Sequence, residues 1–230
     1  MKRHLYEPQK YPGKTHIHLV GCGGTGSQML TALARIDLAL RNLGGDGLEV
    51  DIFDFDKVSK SNAGRQSFYS CDIGKNKSQV LANRHRLCFP EFTVRAYPDI
   101  YRPYANCHIL ITCVDSRKSR RGIFQKRVTC YHIDCGNGPD HGQVILGNGK
   151  DLPWPETVLE ELISDTPEDD SPSCSMADAL EKQDLFVNDF AVRCASQILW
   201  NLLRHGGTDI RGAFYMLNPL TINPLKIGEM

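Results

Sequence analysis

The sequence predicts an α/β protein with a Rossmann-like, doubly wound and mainly parallel sheet. Antiparallel strands and a long crossover loop are expected toward the C-terminus. Three observations indicate this fold class. Short apolar runs alternate with helical patterns through the first half of the chain, and a glycine-rich turn follows the first of these runs. The alternation ends near Gly136, where a proline-rich segment, a long helical pattern and short strand-like runs begin.

Length and composition point to one domain. The chain has 230 residues, of which 41% are hydrophobic, and this is enough for a single large core. We expect one domain over residues 1–230, with a nucleotide-binding core at 14–148, a crossover loop at 149–175, and a C-terminal helix and strands at 176–230.

The charge balance and the hydropathy pattern restrict the partners. Lys+Arg and Asp+Glu both number 27, so the formal net charge is zero and gives no general electrostatic reason to bind nucleic acid or a membrane surface. No apolar run approaches the length of a membrane span, and the start MKRHLYEPQK lacks the apolar centre of a signal peptide. We therefore expect a cytoplasmic protein with neither a nucleic-acid nor a membrane partner.

The nine cysteines contain no C-x-x-C pair, so we expect no structural zinc. In a reducing compartment most cysteines act as small buried hydrophobic residues. Four of them lie in strand-like runs and fit this interpretation: Cys107, Cys113, Cys130 and Cys135.

The glycine-rich turn is the clearest local signal. The apolar run Ile17–Val20 leads into Gly21-Cys22-Gly23-Gly24-Thr25-Gly26, and apolar residues at helical spacing then predict a helix over Ser27–Leu43. In a G-x-G-x-x-G turn between strand and helix, the first glycine allows the tight turn and the second lets a phosphate approach the backbone. The third lets helix and strand pack closely. The positive end of the helix would face the anion, so we expect a nucleotide here.

The remaining elements follow the same alternation up to residue 135. The predicted strands are Leu48–Phe55, Phe92–Tyr97, Cys107–Val114 and Thr129–Cys135. The predicted helices are Lys75–Phe89 and Ser116–Val128, the second with a strongly basic exposed side.

The C-terminal part is less regular. Residues 149–175 contain four prolines and an acidic run at 168–170, which predicts a long crossover with at most a short helix at Glu156–Ile163. An antiparallel strand is predicted at Gln143–Leu146, the longest helix at Asp178–Arg204, and two short strands at Gly212–Leu217 and Leu220–Pro224.

Asp54 lies at the C-terminal end of the second predicted strand. In α/β nucleotide-binding folds an acid at this position accepts hydrogen bonds from the ribose hydroxyls. This role suits NAD and ATP equally, so Asp54 alone leaves the nucleotide open.

Three later segments suggest which nucleotide is bound: DFDKVSKSNAGRQ from Asp54, Gly74-Lys75-Asn76-Lys77, and Cys113-Val114-Asp115-Ser116. With the glycine turn, they resemble the ThiF/MoeB and ubiquitin-activating-enzyme superfamily. Its members adenylate the C-terminal glycine of a ubiquitin-like or sulfur-carrier protein. The match runs in order from Gly21 to Asp115 and continues more weakly to about residue 204. The sequence looks most similar to the ThiF-related proteins of bacterial PRTRC cassettes.

This resemblance implies ATP and Mg²⁺ as cofactors and a small carrier protein ending in glycine as partner. The implied site residues are Gly21, Gly23, Gly24 and Gly26 at the phosphates, Asp54 at the ribose, Asn62, Arg65 and Lys77 at the triphosphate, and Asp115 at the magnesium ion. Cations aimed at the phosphate oxygens would stabilise the charge that builds on leaving pyrophosphate. Lys75 competes with Lys77 for this role, and the family's Gly-x-x-Lys spacing favours Lys77.

Cys174 lies in the crossover loop shortly before the long helix. Superfamily members that form a thioester keep their reactive cysteine in an equivalent loop. A helix N-terminus would lower the pKa of such a thiol, whereas the acidic run at 168–170 would raise it. The sequence is therefore compatible with two interpretations of Cys174, a catalytic nucleophile or an incidental loop cysteine.

The N-terminus departs from the family pattern. An Arg-Tyr-x-Arg-Gln type of helix, which supplies an arginine to the partner subunit of the family homodimer, is absent here, and Arg3 is the one candidate substitute. A homodimer is implied by the resemblance. Two alternatives remain: an inactive nucleotide-binding scaffold with the same fold, and an NAD-dependent oxidoreductase. An NAD-dependent oxidoreductase would give Arg65, Lys77 and Asp115 no common function.

Overall fold

The computed structural model describes residues 2–6, 13–63, 66–102, 107–126, 130–165 and 176–228. The strands in these ranges are β1 His4–Leu5, β2 Thr15–Val20, β3 Leu48–Phe53, β4 Thr93–Tyr97, β5 Ile109–Thr112, β6 Tyr131–Asn137, β7 His141–Gly147, β8 Gly207–Thr208, β9 Ile210–Leu217 and β10 Leu220–Lys226. The helices are α1 Gly24–Asn42, α2 Lys77–Cys88, α3 Arg117–Phe124, α4 Pro155–Val158, α5 Met176–Lys182 and α6 Val187–His205, with 3₁₀ turns at Ser70–Asp72 and Glu160–Ile163.

The central sheet has eight strands in the order β10-β9-β7-β6-β5-β2-β3-β4. Strands β6, β5, β2, β3 and β4 are parallel, whereas β7, β9 and β10 are antiparallel to their neighbours. The strand order reverses at β2, where the chain goes first to β3 and β4 and then to β5 and β6 on the other side. Ligands bind at such a switch point in open α/β sheets.

The two faces of the parallel sheet differ in polarity. On one face, Ile17 and Leu19 of β2 and Val50 and Ile52 of β3 are completely buried in the main core, together with apolar residues of α1, α2 and α6. Because strand side chains alternate between faces, His16 and His18 of β2 and Asp51 of β3 lie on the other face.

That other face is partly apolar. A second apolar cluster covers it around β5 and includes Leu110, Phe53 and Tyr101, with Phe124 of α3 and Leu162 of the 3₁₀ turn packed against them. The polar residues of β2 and β3 lie beside this cluster.

The structure confirms the predicted fold class. The helices and strands predicted up to residue 135 are present, and most of their ends lie within a few residues of the predicted ones. The four cysteines assigned to strand-like runs are buried, as expected. Among the described residues, no helix is long and apolar enough to cross a bilayer.

One predicted helix is wrong in its extent. The pattern over Asp178–Arg204 predicts one helix, but α5 ends at Lys182 and α6 begins at Val187. Contacts with a distant loop explain the break: Asp184 N donates to Pro139 O at 2.6 Å, and Gln183 Nε2 donates to Gly138 O at 3.2 Å. These bonds hold the connection in a non-helical form that helical periodicity does not reveal.

The pairing of the chain ends was not predicted. Strand β1 pairs with β8 in antiparallel register, His4 opposite Thr208. Beside this pair, the Lys2 side chain lies against the backbone of Gly228, where an added Cβ would be 2.9 Å from Lys2 Cδ. Both ends of the described chain therefore lie together at the end of α6.

Candidate active site

The candidate site forms where β2, β3 and β5 end and α1 begins. Gly21 has a φ of +89°, and a Cβ added there would lie 2.7 Å from the carbonyl oxygen of Cys113, so only glycine fits. Its N–H donates to Phe53 O at 2.9 Å, and Cys113 N donates to Val20 O at 2.8 Å. These bonds hold the turn between the ends of β3 and β5.

The other glycines serve different purposes. A Cβ on Gly26 would lie 1.8 Å from Gly21 O, so this glycine allows α1 to pack closely against the turn. A Cβ on Gly23, in contrast, would meet no described protein atom within 4 Å. Gly23 lines the open pocket, and its missing side chain leaves space beside the first turn of α1, where backbone N–H groups can receive an anion.

Asp54 is part of the turn as well as of the pocket. Its Oδ2 accepts a hydrogen bond from Cys22 N at 2.6 Å, and its Oδ1 accepts one from Asp56 N at 2.8 Å. Burial raises the pKa of this carboxyl, while the nearby Lys77 charge and the two N–H groups act in the opposite direction. The acid predicted to hold the ribose thus also stabilises the conformation of the glycine turn.

Lys77 is the first residue of α2 and is only 8% exposed. Its Nζ lies 3.2 Å from Asp56 Oδ2, and its N–H donates to Asp56 O at 2.9 Å. The preceding Asn76 caps α2 by accepting from Gln79 N, and its amide donates to Asp54 O at 2.9 Å. This cap explains why α2 begins at Lys77 rather than at the predicted Lys75.

These elements enclose a pocket with a volume of about 1010 Å³. Five of the predicted site residues line it: Gly21, Gly23, Asp54, Lys77 and Asp115. The aromatic rings of Phe53 and Tyr101 and three further basic residues, Arg102, Lys118 and Lys126, also contribute. Lys75, the competing lysine, is exposed and is not among the lining residues.

Asp115 follows β5 at the mouth of the pocket. It is exposed, and the next residue, Ser116, caps α3 by accepting a hydrogen bond from Ser119 N at 3.2 Å. Carboxylate oxygens are the ligands that Mg²⁺ prefers, and Asp115 shares the pocket with the glycine turn. The residues present therefore fit a magnesium ion carried by a nucleotide.

The expected basic exposed side of α3 needs one correction. Arg120 is buried, with its Nε 3.3 Å from Asp134 Oδ1 and its Nη2 donating to Cys135 O at 3.1 Å. Helical spacing places Arg120 on the buried side of α3 with Ile123 and Phe124. Arg120 therefore links α3 to β6, whereas Lys118 lines the pocket.

Other predicted residues are not brought to the pocket. Gly24, Gly26 and Asn62 are not among its lining residues, and Arg65 and Cys174 lie outside the described residues. Asn62 Oδ1 accepts from Ser59 N at 3.0 Å, which shapes the local turn.

The segment after Arg65 returns to α1. Ser67 N donates to Ser27 Oγ at 3.1 Å, and Ser27 lies in the first turn of α1. The chain therefore contacts the expected phosphate end of α1 two residues beyond Arg65.

Comparison with known families matches residues 5–228 to the ThiF family. The chain belongs to the ThiF family. Among curated proteins, it is 34% identical over 102 residues to a tRNA threonylcarbamoyladenosine dehydratase of Haemophilus influenzae, covering 43% of this chain and 36% of that protein. It is 42% identical over 80 residues to ubiquitin-like modifier-activating enzyme 1 of Dictyostelium discoideum, covering 34% of this chain and 8% of that enzyme.

Solved structures share the fold. The crystal structure of E. coli MccB with ATP has a TM-score of 0.62 at 17% identity, and the match covers 96% of this chain and 66% of that chain. MccB with AMPCPP and MccA gives 0.60 at 16% identity, covering 93% and 64%. The chain thus spans about two thirds of these structures and a much smaller part of the curated relatives.

One polar cluster behind the ThiF-type turn had no role assigned from the sequence. Asn188 of α6 accepts hydrogen bonds on Oδ1 from Thr25 Oγ1 at 2.9 Å and Asn137 Nδ2 at 2.7 Å. Its Nδ2 donates to Gln183 Oε1 at 3.2 Å. Asn188 is 3% exposed, so it ties α6, α1 and β6 together inside the protein. A lone asparagine in an apolar helical pattern was the only sequence signal for it.

Arg3, the candidate substitute for the family's N-terminal arginine, bonds within its own chain. Its Nη2 donates to His205 O at 2.8 Å and to Gly207 O at 3.2 Å. His205 is the last residue of α6, where positive charge is favourable, and Gly207 begins β8. This arrangement gives Arg3 a structural role at β1.

Proposed function

We propose that this protein catalyses the ATP-dependent adenylation of the C-terminal glycine of a small ubiquitin-like or sulfur-carrier protein. The observation that carries the proposal is the pocket at the end of β2, β3 and β5. It joins an open glycine turn at a helix N-terminus to a partly buried carboxylate, a buried lysine and an exposed carboxylate. Membership of the ThiF family supports the same reaction class.

ATP would lie with its phosphates against α1 and its ribose at β3. The open backbone of Gly23 and the N–H groups of the first α1 turn would bind phosphate oxygens. Asp54 already accepts one hydrogen bond on each oxygen, and each oxygen has a further lone pair for a ribose hydroxyl.

The reaction is the attack of a carboxylate oxygen of the carrier on the α-phosphorus of ATP. A new oxygen–phosphorus bond forms, the bond to the β-phosphate oxygen breaks, and pyrophosphate leaves with the electron pair. Lys77 and Arg65 would bind the anionic phosphates and stabilise the charge on the leaving group. Mg²⁺ held by Asp115 would neutralise the phosphate oxygens when it is bound.

Lys77 is well suited to this task because of its burial. Its charge is balanced by Asp56 at 3.2 Å, and Asp56 is itself half exposed. A nucleotide phosphate entering the pocket would add a second anionic partner to the ammonium group, which has three donors. The lysine therefore would not have to leave Asp56 to bind ATP.

Related proteins support a carrier protein or peptide as the substrate. The curated relatives include ubiquitin-like modifier-activating enzymes of Dictyostelium discoideum and Homo sapiens. The structural neighbours include E. coli MccB with ATP and MccB with AMPCPP and MccA. The glycine ending, a homodimer, a cytoplasmic location and the narrower PRTRC assignment belong to this proposal.

ATP–pyrophosphate exchange tests the adenylation step. The full chain is incubated with Mg²⁺, ATP, labelled pyrophosphate and ubiquitin-like or sulfur-carrier proteins ending in glycine, and with the same proteins lacking that glycine. We expect exchange only with an intact cognate carrier. Asp115→Ala and Arg65→Ala should abolish it, whereas Lys75→Ala, which changes an exposed lysine outside the pocket, should not.

The outcomes separate the alternatives. Exchange that survives both Asp115→Ala and Arg65→Ala would contradict the assigned roles. ATP binding without exchange for any glycine-ending carrier would favour an inactive scaffold, and preferential binding of NAD over ATP would favour an oxidoreductase.

A thioester on Cys174 is a second step of the same proposal. The thiolate would attack the acyl adenylate, and AMP would leave. A thiol-sensitive conjugate with the carrier is expected for the unaltered protein and not for Cys174→Ala. A conjugate that persists in Cys174→Ala would remove this cysteine from the mechanism.

A further inference from the structure

Two histidines and an aspartate meet on the polar face of the sheet, away from the nucleotide turn. His16 and His18 lie two residues apart on β2, and Asp51 of β3 is opposite His18 in the parallel register. We call these three residues the His–Asp cluster. Side chains with a period of two share one sheet face, so all three are directed to the same side.

The nitrogen and oxygen atoms of the cluster are close together. One ligand atom from each residue lies within 4.8 Å of the other two. Asp51 Oδ2 is 3.0 Å from His16 Nε2 and 3.8 Å from His18 Nε2. Ligands about 2.0–2.2 Å from a tetrahedral zinc ion are roughly 3.3 Å apart, so only modest side-chain movement is required.

The cluster is buried on most sides. The side chains of His18 and Asp51 are 0% and 2% exposed, whereas that of His16 is 17% exposed and gives access from solvent.

Outer hydrogen bonds orient two of the three side chains. His18 Nδ1 lies 3.2 Å from the hydroxyl of Tyr101, which favours directing Nε2 toward Asp51. Arg95 of β4 donates from Nε to Asp51 Oδ1 at 2.8 Å, and its Nη2 is 3.4 Å from Oδ2. Such outer partners fix ligand orientation in metal sites, although the positive charge of Arg95 reduces the affinity for a cation.

We propose that His16, His18 and Asp51 bind one divalent transition-metal ion, with Zn²⁺ as the best-suited ion. Two imidazoles and one carboxylate suit zinc, whereas Mg²⁺ prefers oxygen ligands alone. The site would have three protein ligands and one open position, which the partial exposure of His16 allows a water to fill. It uses no cysteine, so it differs from the C-x-x-C zinc site that the sequence lacks.

The metal site would lie directly behind the wall of the candidate active site. The His18 ring packs edge to face against Phe53, with centroids 5.2 Å apart, and bonds to Tyr101. Both aromatic residues line the pocket. The ion would therefore hold the pocket wall in place, a role distinct from that of the magnesium carried with ATP.

Cobalt spectroscopy tests the proposal. The full chain is freed of metal with a chelator and titrated with Co²⁺, whose visible d–d absorption is strong in tetrahedral sites. We expect one equivalent to saturate the absorption and Zn²⁺ to displace it, while excess Mg²⁺ leaves it unchanged. His16→Ala and Asp51→Asn should each weaken Co²⁺ binding at least about tenfold. His141→Ala, at an exposed histidine outside the cluster, should not.

Circular dichroism identifies variants that keep their fold, and His16→Ala is the decisive one because His16 is the most exposed ligand. Absence of a saturable Co²⁺ absorption in the folded unaltered protein would overturn the proposal. Unchanged affinity in folded His16→Ala and Asp51→Asn would do so too. These outcomes do not depend on ATP–pyrophosphate exchange, so the proposed metal site and the proposed adenylation reaction are tested independently.

Discussion

Asn188 fills the space that a side chain on Gly24 would need. A Cβ added to Gly24 would lie 2.6 Å from Asn188 Oδ1 and 2.7 Å from Asn188 Cγ. The first residue of α1 is therefore glycine because a buried amide of α6 packs against its backbone, a reason separate from any phosphate contact. This relationship connects the glycine turn to α6.

We expect Gly24→Ala to reduce the free energy of unfolding by about 1–3 kcal/mol, the usual cost of overpacking a core. Asn188→Ala should by itself destabilise the protein, because Thr25 and Asn137 lose a shared acceptor. Urea unfolding of both variants and of the double variant measures the coupling. We expect Gly24→Ala to lower the free energy of unfolding much less in the Asn188→Ala background than in the unaltered protein. Equal losses in both backgrounds would show that the clash is absent.

The substitutions Gly21→Ala and Gly23→Ala should affect different properties: the first should lower stability and the second ATP affinity. At Gly21 a side chain would be strained and would approach Cys113 O, so we expect a loss of stability in thermal unfolding. At Gly23 the added methyl meets open space, so stability should change little while ATP affinity, measured by calorimetry, falls. An unchanged ATP affinity in folded Gly23→Ala would mean that phosphates do not bind beside this residue.

The buried pair of Arg120 and Asp134 should be sensitive to the loss of one partner. Arg120→Met leaves a buried carboxylate without its guanidinium, and such losses cost about 3–5 kcal/mol. The double variant Arg120→Met with Asp134→Asn should recover part of this loss in urea unfolding, because the unpaired charge is gone. Arg117→Met, on the same helix but not in this pair, serves as the control, and an equal effect there would argue against the ion pair as the cause.

His85 should make stability depend on acid pH. Burial lowers the pKa of its ring, the nearby charge of Arg84 acts in the same direction, and the hydrogen bond from Nδ1 to Leu81 O opposes them. With Nδ1 donating, Nε2 accepts from Thr31 Oγ1 of α1 at 3.0 Å. The ring of Phe89 stacks beside it at a centroid distance of 6.2 Å.

The unfolded chain binds a proton on His85 more readily than the folded chain, so stability is lost as the pH falls through the ordinary histidine pKa of about 6.5. Urea unfolding at about pH 7.5 and about pH 5 should therefore show a smaller loss in His85→Gln than in the unaltered protein. Identical losses in the two proteins would exclude His85 as a source of acid sensitivity.

The fold and three residues of the candidate site follow from local sequence patterns. Gly21, Asp54 and Asp115 lie at or just beyond the C-terminal ends of apolar strands, and the carboxyl ends of parallel strands meet at one edge of a sheet. Their convergence could thus be predicted without knowing the packing, and the structure places all three at one pocket. The assignment of Lys77 depended on the family's spacing from Gly74, and its burial beside Asp56 was not foreseeable from the sequence.

Features that depend on contacts between distant segments could not be predicted. Asn188 forms hydrogen bonds with Thr25 and Asn137 only because α6 packs behind α1, and no local sequence pattern indicates this packing. The break before α6 likewise depends on hydrogen bonds to the loop after β6. The His–Asp cluster needed the register of β2 against β3, since alternation gives the face of a residue but not its neighbour on the next strand.

The pairing of β1 with β8 has a consequence for how the chain is connected. Because Lys2 already lies against Gly228, folding has brought the two ends of the described chain together, and a short linker between them would close only a small loop at little entropic cost. New ends opened in an exposed turn, such as Gly44–Asp46 between α1 and β3, would keep every strand pair of the sheet. We therefore expect a circularly permuted chain, joined at these ends and opened in that turn, to keep the sheet on which the pocket is built.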